Sequence, residues 1–225
     1  RGFLFPSAII GMICGLIILQ PDFGTCFLCG AVGATLMFQS GVSLKWLLPV
    51  GGLAILAFSI LVYFDPVRIR RVTSFLDVEA NANDSAYQLW QGMLAFGVGG
   101  IQGVGLGMGR QQMHFLPEAH TDFIFPIIGE EFGLVGCLSV VILYLILFFL
   151  GVNTSKNSHN TFGKFLGYGI SLMIVIQVVI NLFVVTGLAP TKGIALPFIS
   201  YGGSSILSSS IMIGILLNIS LDAER

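Results

Sequence analysis

Six stretches of this chain carry no charged residue over the length that a lipid bilayer demands. They run from Gly2 to Pro21, Phe23 to Leu44, Trp46 to Phe64, Phe132 to Ser155, Phe165 to Thr191 and Gly193 to Leu221. A spanning helix needs about 20 mostly apolar residues, so each stretch reads as one crossing, trimmed at its ends. Across all 225 residues only 9% are charged, against roughly 25% in an ordinary soluble domain. Such a chain cannot cover a water-soluble globule, and 55% hydrophobic residues exclude intrinsic disorder. The net charge of −1 leaves no basic footprint for nucleic acid, so none is expected as a partner. The expected fold is all-α: a polytopic transmembrane bundle of about six helices, forming a single domain over 1–225.

A seventh charge-free stretch, Ser85 to Gly109, differs in kind. It holds eight glycines and three glutamines, a poor composition for a spanning helix. It reads as a loop or a re-entrant, half-helical segment, tolerated at membrane depth only where it is buried in protein or lines a cavity. Six crossings put both chain ends on one side. The short loops on that side carry Lys45, Lys156 and Lys164, whereas those on the other carry Lys192 alone. By the positive-inside rule the side with the chain ends is cytoplasmic. The opening Arg1, with no initiator Met and no signal-peptide pattern, suggests a piece of a longer chain.

Nine of the eleven acids fall on the other, extracytoplasmic side: Asp22, Asp65, Asp77, Glu79, Asp84, Glu118, Asp122, Glu130 and Glu131. Charge near membrane depth is costly and marks function by default. Three segments concentrate it. In Gln20–Thr25 (QPDFGT), Asp22 reads as a helix cap within a tight turn. In 110–131, the polar knot Glu118, His120, Thr121, Asp122 precedes an apolar helix. Asp122 or Thr121 suits the cap of that helix, worth about 1 kcal/mol, which the spacing favours over a catalytic carboxylate at Asp122 without excluding it. Glu130 and Glu131, roughly 12 to 14 Å further along at 1.5 Å per residue, should face the bundle interior rather than a reacting centre. In 190–205, Pro and Gly break a long apolar run around a lone cation, Lys192. There Gly202, Gly203, Ser204 and Ser205 suit close helix packing or a cavity wall. Cys26-x-x-Cys29 lacks further ligands and reads as core cysteines, and four cysteines in such a chain imply no disulfide framework. His114 and His159 read as isolated surface residues.

Together these segments resemble the SEDS family (shape, elongation, division and sporulation), which includes FtsW, RodA and SpoVE. The matching residues are QPDFGT at 20–25, YQLWQGMLAFGVGGIQGVGLG at 87–107, LPEAHTDFIFPIIGEEFGLVG at 116–136 and GLAPTKGIALPFISYGGSS at 187–205. Ala119, IGEE at 128–131 and PTKG at 190–193 resemble the FtsW and SpoVE branch rather than the RodA branch. Phe132 after GEE and Ala189 before Pro190 are minor departures.

The resemblance implies ten helices with both ends cytoplasmic, of which the six here are the last. It implies a multi-pass protein of the bacterial cytoplasmic membrane, its active face extracytoplasmic and its catalytic loop at 65–131. The implied activity is peptidoglycan glycosyl transfer. Lipid II is polymerised by inverting transfer of the glycan from an undecaprenyl-pyrophosphate donor onto a sugar hydroxyl, with Asp122 matching the family's essential acid as general base. The leaving pyrophosphate calls for a cation, for which Lys192 and Arg110 are the leading candidates, Arg68, Arg70 and Arg71 weaker ones, and a divalent metal ion an alternative. Glu118 is suited to orienting Asp122 or to a loop hydrogen bond. Asp22, His120, Thr121, Ser200, Tyr201, Gly202, Gly203 and Ser204 complete the expected substrate-binding set. The implied partners are a class B penicillin-binding protein (a transpeptidase) and other division proteins. Two other readings stay open: a lipid II flippase, since broken helices also build transporters, and a non-catalytic scaffold that recruits the transpeptidase.

Overall fold

The computed structural model describes residues 3–20, 22–84, 86–110 and 120–223. Glu118, Ala119 and His114 lie outside the described residues, and the side chain of Arg68 is not among those described. Eight helices are seen among the described residues: α1 (Leu4–Leu19), α2 (Phe23–Gln39), α3 (Leu44–Tyr63), α4 (Pro66–Leu76), α5 (Tyr87–Gly99), α6 (Ile124–Asn157), α7 (Thr161–Val185) and α8 (Gly203–Ala223). Each expected crossing has its helix, and the result is an all-α polytopic membrane bundle.

Four of these helices, α3, α6, α7 and α8, are long and apolar enough to cross a membrane. The first two are shorter than expected, with 16 and 17 residues. At 1.5 Å per residue they span about 24 and 26 Å, against a hydrocarbon core of about 30 Å. Asp22 caps α2 as expected, its Oδ1 accepting from the Thr25 backbone N–H at 3.1 Å and its Oδ2 from the Thr25 hydroxyl at 2.6 Å. The last helix starts at Gly203, not Gly193, because residues 190–202 are non-helical.

The core lies between α6 and α7. Phe123, Phe125, Ile127 and Tyr144 pack there with Ile170, Ile174, Val178, Val185 and Leu216. Small residues set that approach: a side chain added at Gly151 or Gly167 would collide with the Ser171 or Ser155 hydroxyl of the facing helix. On the other flank α5 leans on α6, with the Phe96 and Phe125 rings edge to face, 5.9 Å between centroids.

The helix α6 begins at Ile124 and is broken at Gly133, where φ is +66°. An unbroken helix would bond Leu134 N–H to the Glu130 carbonyl and Val135 N–H to the Glu131 carbonyl. Instead, Leu134 and Val135 donate to the Gly100 and Ile101 carbonyls at 2.9 and 3.3 Å. The two released carbonyls accept from Val104 and Gly105 at 2.9 and 3.0 Å. The glycine-rich loop after α5 thus plugs into the break and satisfies these four backbone groups. A Cβ at Gly103 or Gly133 would strike the backbone of the other strand of this junction, which explains glycine at both. The half-helix expected over Ser85–Gly109 is therefore real: 13 helical residues, then a loop inserted into a neighbouring helix.

Glu130 and Glu131 take part in the same junction. Glu130 is almost fully buried, and its Oε1 accepts from the Arg110 backbone N–H at 2.8 Å. Glu131 Oε1 accepts from the Gly107 N–H at 3.0 Å. Both carboxylates thus fasten the far end of the glycine-rich loop; Glu130 faces the interior as its spacing suggested, whereas Glu131 is only half-buried.

Candidate active site

Asp122 sits in the turn just before α6. It is not the helix cap expected from spacing: the N-cap is Phe123, which makes no side-chain capping bond. The carboxylate is turned elsewhere. Its Oδ1 accepts from the Thr121 hydroxyl at 2.9 Å. A Cβ built on Gly193 would lie 3.5 Å from its Oδ2, so the PTKG segment passes directly beside the carboxylate.

The carboxylate opens into a cavity of about 470 Å³ lined by Arg70, Arg71, Asp84, Gln88, Asp122, Phe123, Thr191, Lys192 and Gly193. Five parts of the chain contribute: α4, the segment leading into α5, the first turn of α5, the turn before α6, and the loop after α7. Arg70 forms an ion pair with Asp84, which ties α4 to the approach of α5. Lys192 is held over two rings, its Nζ 5.6 Å from the centroids of both Phe23 and Phe58. Those rings meet edge to face at 5.3 Å. A cation over aromatic faces is held in place by attraction to the ring quadrupoles.

Sequence-expected residues divide into three groups. Asp122, Thr121 and Lys192 are brought together. Arg70 and Arg71, weaker candidates by sequence, line the cavity, whereas Arg110 does not and instead binds Glu130 through its backbone N–H. The rest serve the frame. Ser200 is fully buried and its hydroxyl accepts from Leu196 N–H at 2.7 Å, closing a turn rather than facing the cavity. Tyr201 N–H donates to the His120 carbonyl at 2.8 Å, so the LPFISYGG turn is stitched to the HTD turn. Phe198 in that turn has φ +66°, a strained value for a non-glycine residue, and the Tyr144 hydroxyl donates to the neighbouring Pro197 carbonyl. Gly202, Gly203 and Ser204 open α8 without close helix packing: nothing lies within 4 Å of a Cβ at Gly203, and Ser204 is exposed. Asp22 spends both oxygens on capping, while its neighbours support the site. Phe23 carries Lys192, and Gly24 lets Ile194 approach.

Sequence reasoning missed Gln177 and Asn181, on α7. The Gln177 side-chain amide donates to the Ala195 carbonyl at 2.8 Å. That of Asn181 donates to the carbonyls of Asp122 at 2.8 Å and Ile194 at 2.7 Å. The signal was present: two amides four residues apart share one face of an otherwise apolar helix.

A family model described as the FtsW/RodA/SpoVE cell cycle proteins matches residues 1–225. The chain belongs to the FtsW/RodA/SpoVE family. Among its relatives, a Geobacter sp. (strain M18) protein is 39% identical across 97% of this chain and 60% of its own length. A Coxiella burnetii protein is 42% identical across 100% and 61%, and one from Marinobacter nauticus 43% identical across 99% and 57%. Each is named "Probable peptidoglycan glycosyltransferase FtsW". The chain thus spans about 60% of the length of these relatives. Two solved structures share the fold. One, titled "Structural coordination of polymerization and crosslinking by a peptidoglycan synthase complex", is similar with a TM-score of 0.80 at 24% identity, over 99% of this chain and 62% of that one. The other is the Thermus thermophilus rod shape determining protein RodA, with a TM-score of 0.67 at 23% identity, over 100% and 57%.

Among the described residues, Asp84 and Asp122 are the carboxylates lining the cavity, and Asp84 is engaged by Arg70, so those residues by themselves suit a resident metal ion poorly. Among the described residues no group of three or more His, Cys, Asp or Glu gathers. The arrangement suits a proton acceptor beside an anion held by cations.

Proposed function

We propose that this chain forms the catalytic part of a peptidoglycan glycosyltransferase of the FtsW type, polymerising lipid II during cell division. The observation that carries this reading is the pairing in one cavity of the Asp122 carboxylate with Lys192, Arg70 and Arg71. A sugar hydroxyl is a poor nucleophile and needs a base within hydrogen-bond reach. Asp122, oriented by Thr121, takes the proton from the 4-hydroxyl of the acceptor lipid II. The freed oxygen attacks the anomeric carbon of the donor glycan from the face opposite the leaving group, with inversion. The undecaprenyl pyrophosphate departs with the bonding electron pair as an anion. Unlike a glycosidase, the site therefore needs no second carboxylic acid to protonate the leaving group. Lys192 and Arg71 stabilise the charge that develops on the pyrophosphate.

In this reading the cavity opens on the outer face of the bacterial cytoplasmic membrane and segment 65–131 is the catalytic loop. A class B penicillin-binding protein is the partner that cross-links the product, acting among other division proteins. The solved complex that couples polymerisation to cross-linking supports such a pairing. The test is lipid II polymerisation by the full-length protein with its transpeptidase. Asp122→Asn should lower the rate by about 10² to 10⁴-fold while the protein stays folded. Wild-type rates in that variant would end the proposal, and lipid II flipping unaffected by it would point to a transporter.

A further inference from the structure

We propose that Asn181 is the positioning residue of this site: a single buried amide that sets the acid and the cation at a fixed separation. The inference rests on the glycosyl-transfer reading above. Asn181 lies on α7, is 1% exposed, and is not among the residues lining the cavity. Its side-chain nitrogen carries two hydrogens. One is donated to the backbone carbonyl of Asp122, the other to that of Ile194, two residues past Lys192. The two chain segments that carry the acid and the cation are therefore clamped to one atom of a packed helix.

The orientation of the amide is determined by its partners. Both are carbonyls, which only accept, so the nitrogen must face them. The Asn181 Oδ1 is left buried with no hydrogen-bond partner among the described residues. A buried acceptor without a partner is a local cost that a helix would escape with leucine at the same place. The amide is kept for its two donors. Gln177, one turn earlier, provides an internal contrast, because it holds the Ala195 carbonyl and does not touch Asp122.

The clamp acts through Asp122 rather than on substrate, so its loss should appear in turnover rather than in binding. Displacing a catalytic group by about 1 Å can cost on the order of 10²-fold in rate. The experiment compares wild type, Asn181→Leu, Asn181→Asp, Gln177→Leu and Asp122→Asn in the full-length protein with its partner. It records lipid II polymerisation kinetics and thermal unfolding in detergent. Asn181→Leu is expected to lose about 10²-fold in kcat, with KM within about threefold and the unfolding midpoint close to wild type. Asn181→Asp, with the same volume and at most one donor, should fall between the two. Gln177→Leu should keep kcat within about threefold of wild type, the change that loss of one bond remote from the base allows. The inference is overturned if folded Asn181→Leu keeps its kcat, if the loss lies in KM, or if Gln177→Leu loses as much. It is also overturned if both Asn181 variants lose their fold along with turnover, because the amide is then a structural fastener. Those outcomes leave the parent reading standing as long as Asp122→Asn is inactive. Full activity of Asp122→Asn would remove that reading, and this inference with it.

Discussion

At the scale of single residues, the site is a matter of which charges share a cavity. Lys192 and Arg110 began together as the leading candidates for the cation. The structure separates them: Lys192 lines the cavity above two phenylalanines, while Arg110 engages Glu130 through its backbone. Hydrogen bonds to a charged group are worth about 1.5 to 3 kcal/mol, or roughly 10- to 150-fold in rate if made mainly in the transition state. Lys192→Met, which keeps the chain length and removes the charge, should therefore slow lipid II polymerisation by roughly 10- to 100-fold. Arg110→Met should cost about threefold or less, because its backbone N–H persists. Steady-state rates of the two variants side by side decide the point, and equal losses would sink the assignment. Asp122 and Lys192 were legible in the sequence because isolated charges between apolar helices are rare and conspicuous. Asp84 was not, and Arg71 was read only as a weaker candidate, because their proximity to Asp122 depends on how α4 and the approach to α5 fold back over the loop after α7, a long-range packing outcome. Asn181 was hidden for a different reason. An amide inside an apolar helix has no local signature of what it binds, and its partners stand 59 and 13 positions away in the chain.

At the scale of elements, apolar stretches predicted the helices well and their ends poorly. A charge-free run reports which residues tolerate lipid, and tolerance extends beyond a helix into apolar loops. The run from Gly193 to Leu221 therefore included the whole LPFISYGG turn, which is held by Ser200, Tyr144 and the His120 carbonyl rather than by helix bonds. Asp122 was misread as a cap because the spacing of an acid before an apolar run is the same whether its carboxylate turns back to the helix or out to a cavity. The glycine-rich stretch was read correctly as half-helical, yet nothing local to it reveals that it plugs the break in α6. That junction yields a test. Gly133→Ala forces a side chain into φ +66° and against the backbone of Gly103 and Ile101. With ψ at −161° this backbone lies in a region essentially reserved for glycine, costing another residue about 1 to 3 kcal/mol, and the collision adds to it. The expected result is a thermal unfolding midpoint several degrees lower in detergent, whereas Gly203→Ala, with open space around it, should leave the midpoint unchanged. Equal midpoints for the two variants would mean that the loop does not depend on the break.

At the scale of the whole molecule, the loops assigned to one side by counting crossings do meet in space. Phe23, from the turn after α1, and Phe58, near the end of α3, support Lys192, from the loop after α7, and Lys192 shares a cavity with α4 and the turn before α6. A cavity built from or backed by three separate connections requires them to emerge on the same face, so the even parity of the six crossings and the convergence of the charges support each other. Which face that is rests on lysines: Lys45, Lys156 and Lys164 mark the opposite loops, and cytoplasmic loops carry the excess of positive charge. Glu79, in the segment between α4 and α5, and His159, in the loop between α6 and α7, are both exposed and stand on opposite sides in this scheme. Glu79→Cys should therefore react with a membrane-impermeant thiol reagent applied to intact spheroplasts, whereas His159→Cys should react only after permeabilisation. The four native cysteines (Cys14, Cys26, Cys29 and Cys137) lie within α1, α2 and α6, so they should contribute a low and constant background. The reverse labelling pattern would turn the cavity to the cytoplasm and count against the proposed glycosyl transfer on the outer face. Labelling of both sites from outside would break the parity from which the convergence was read.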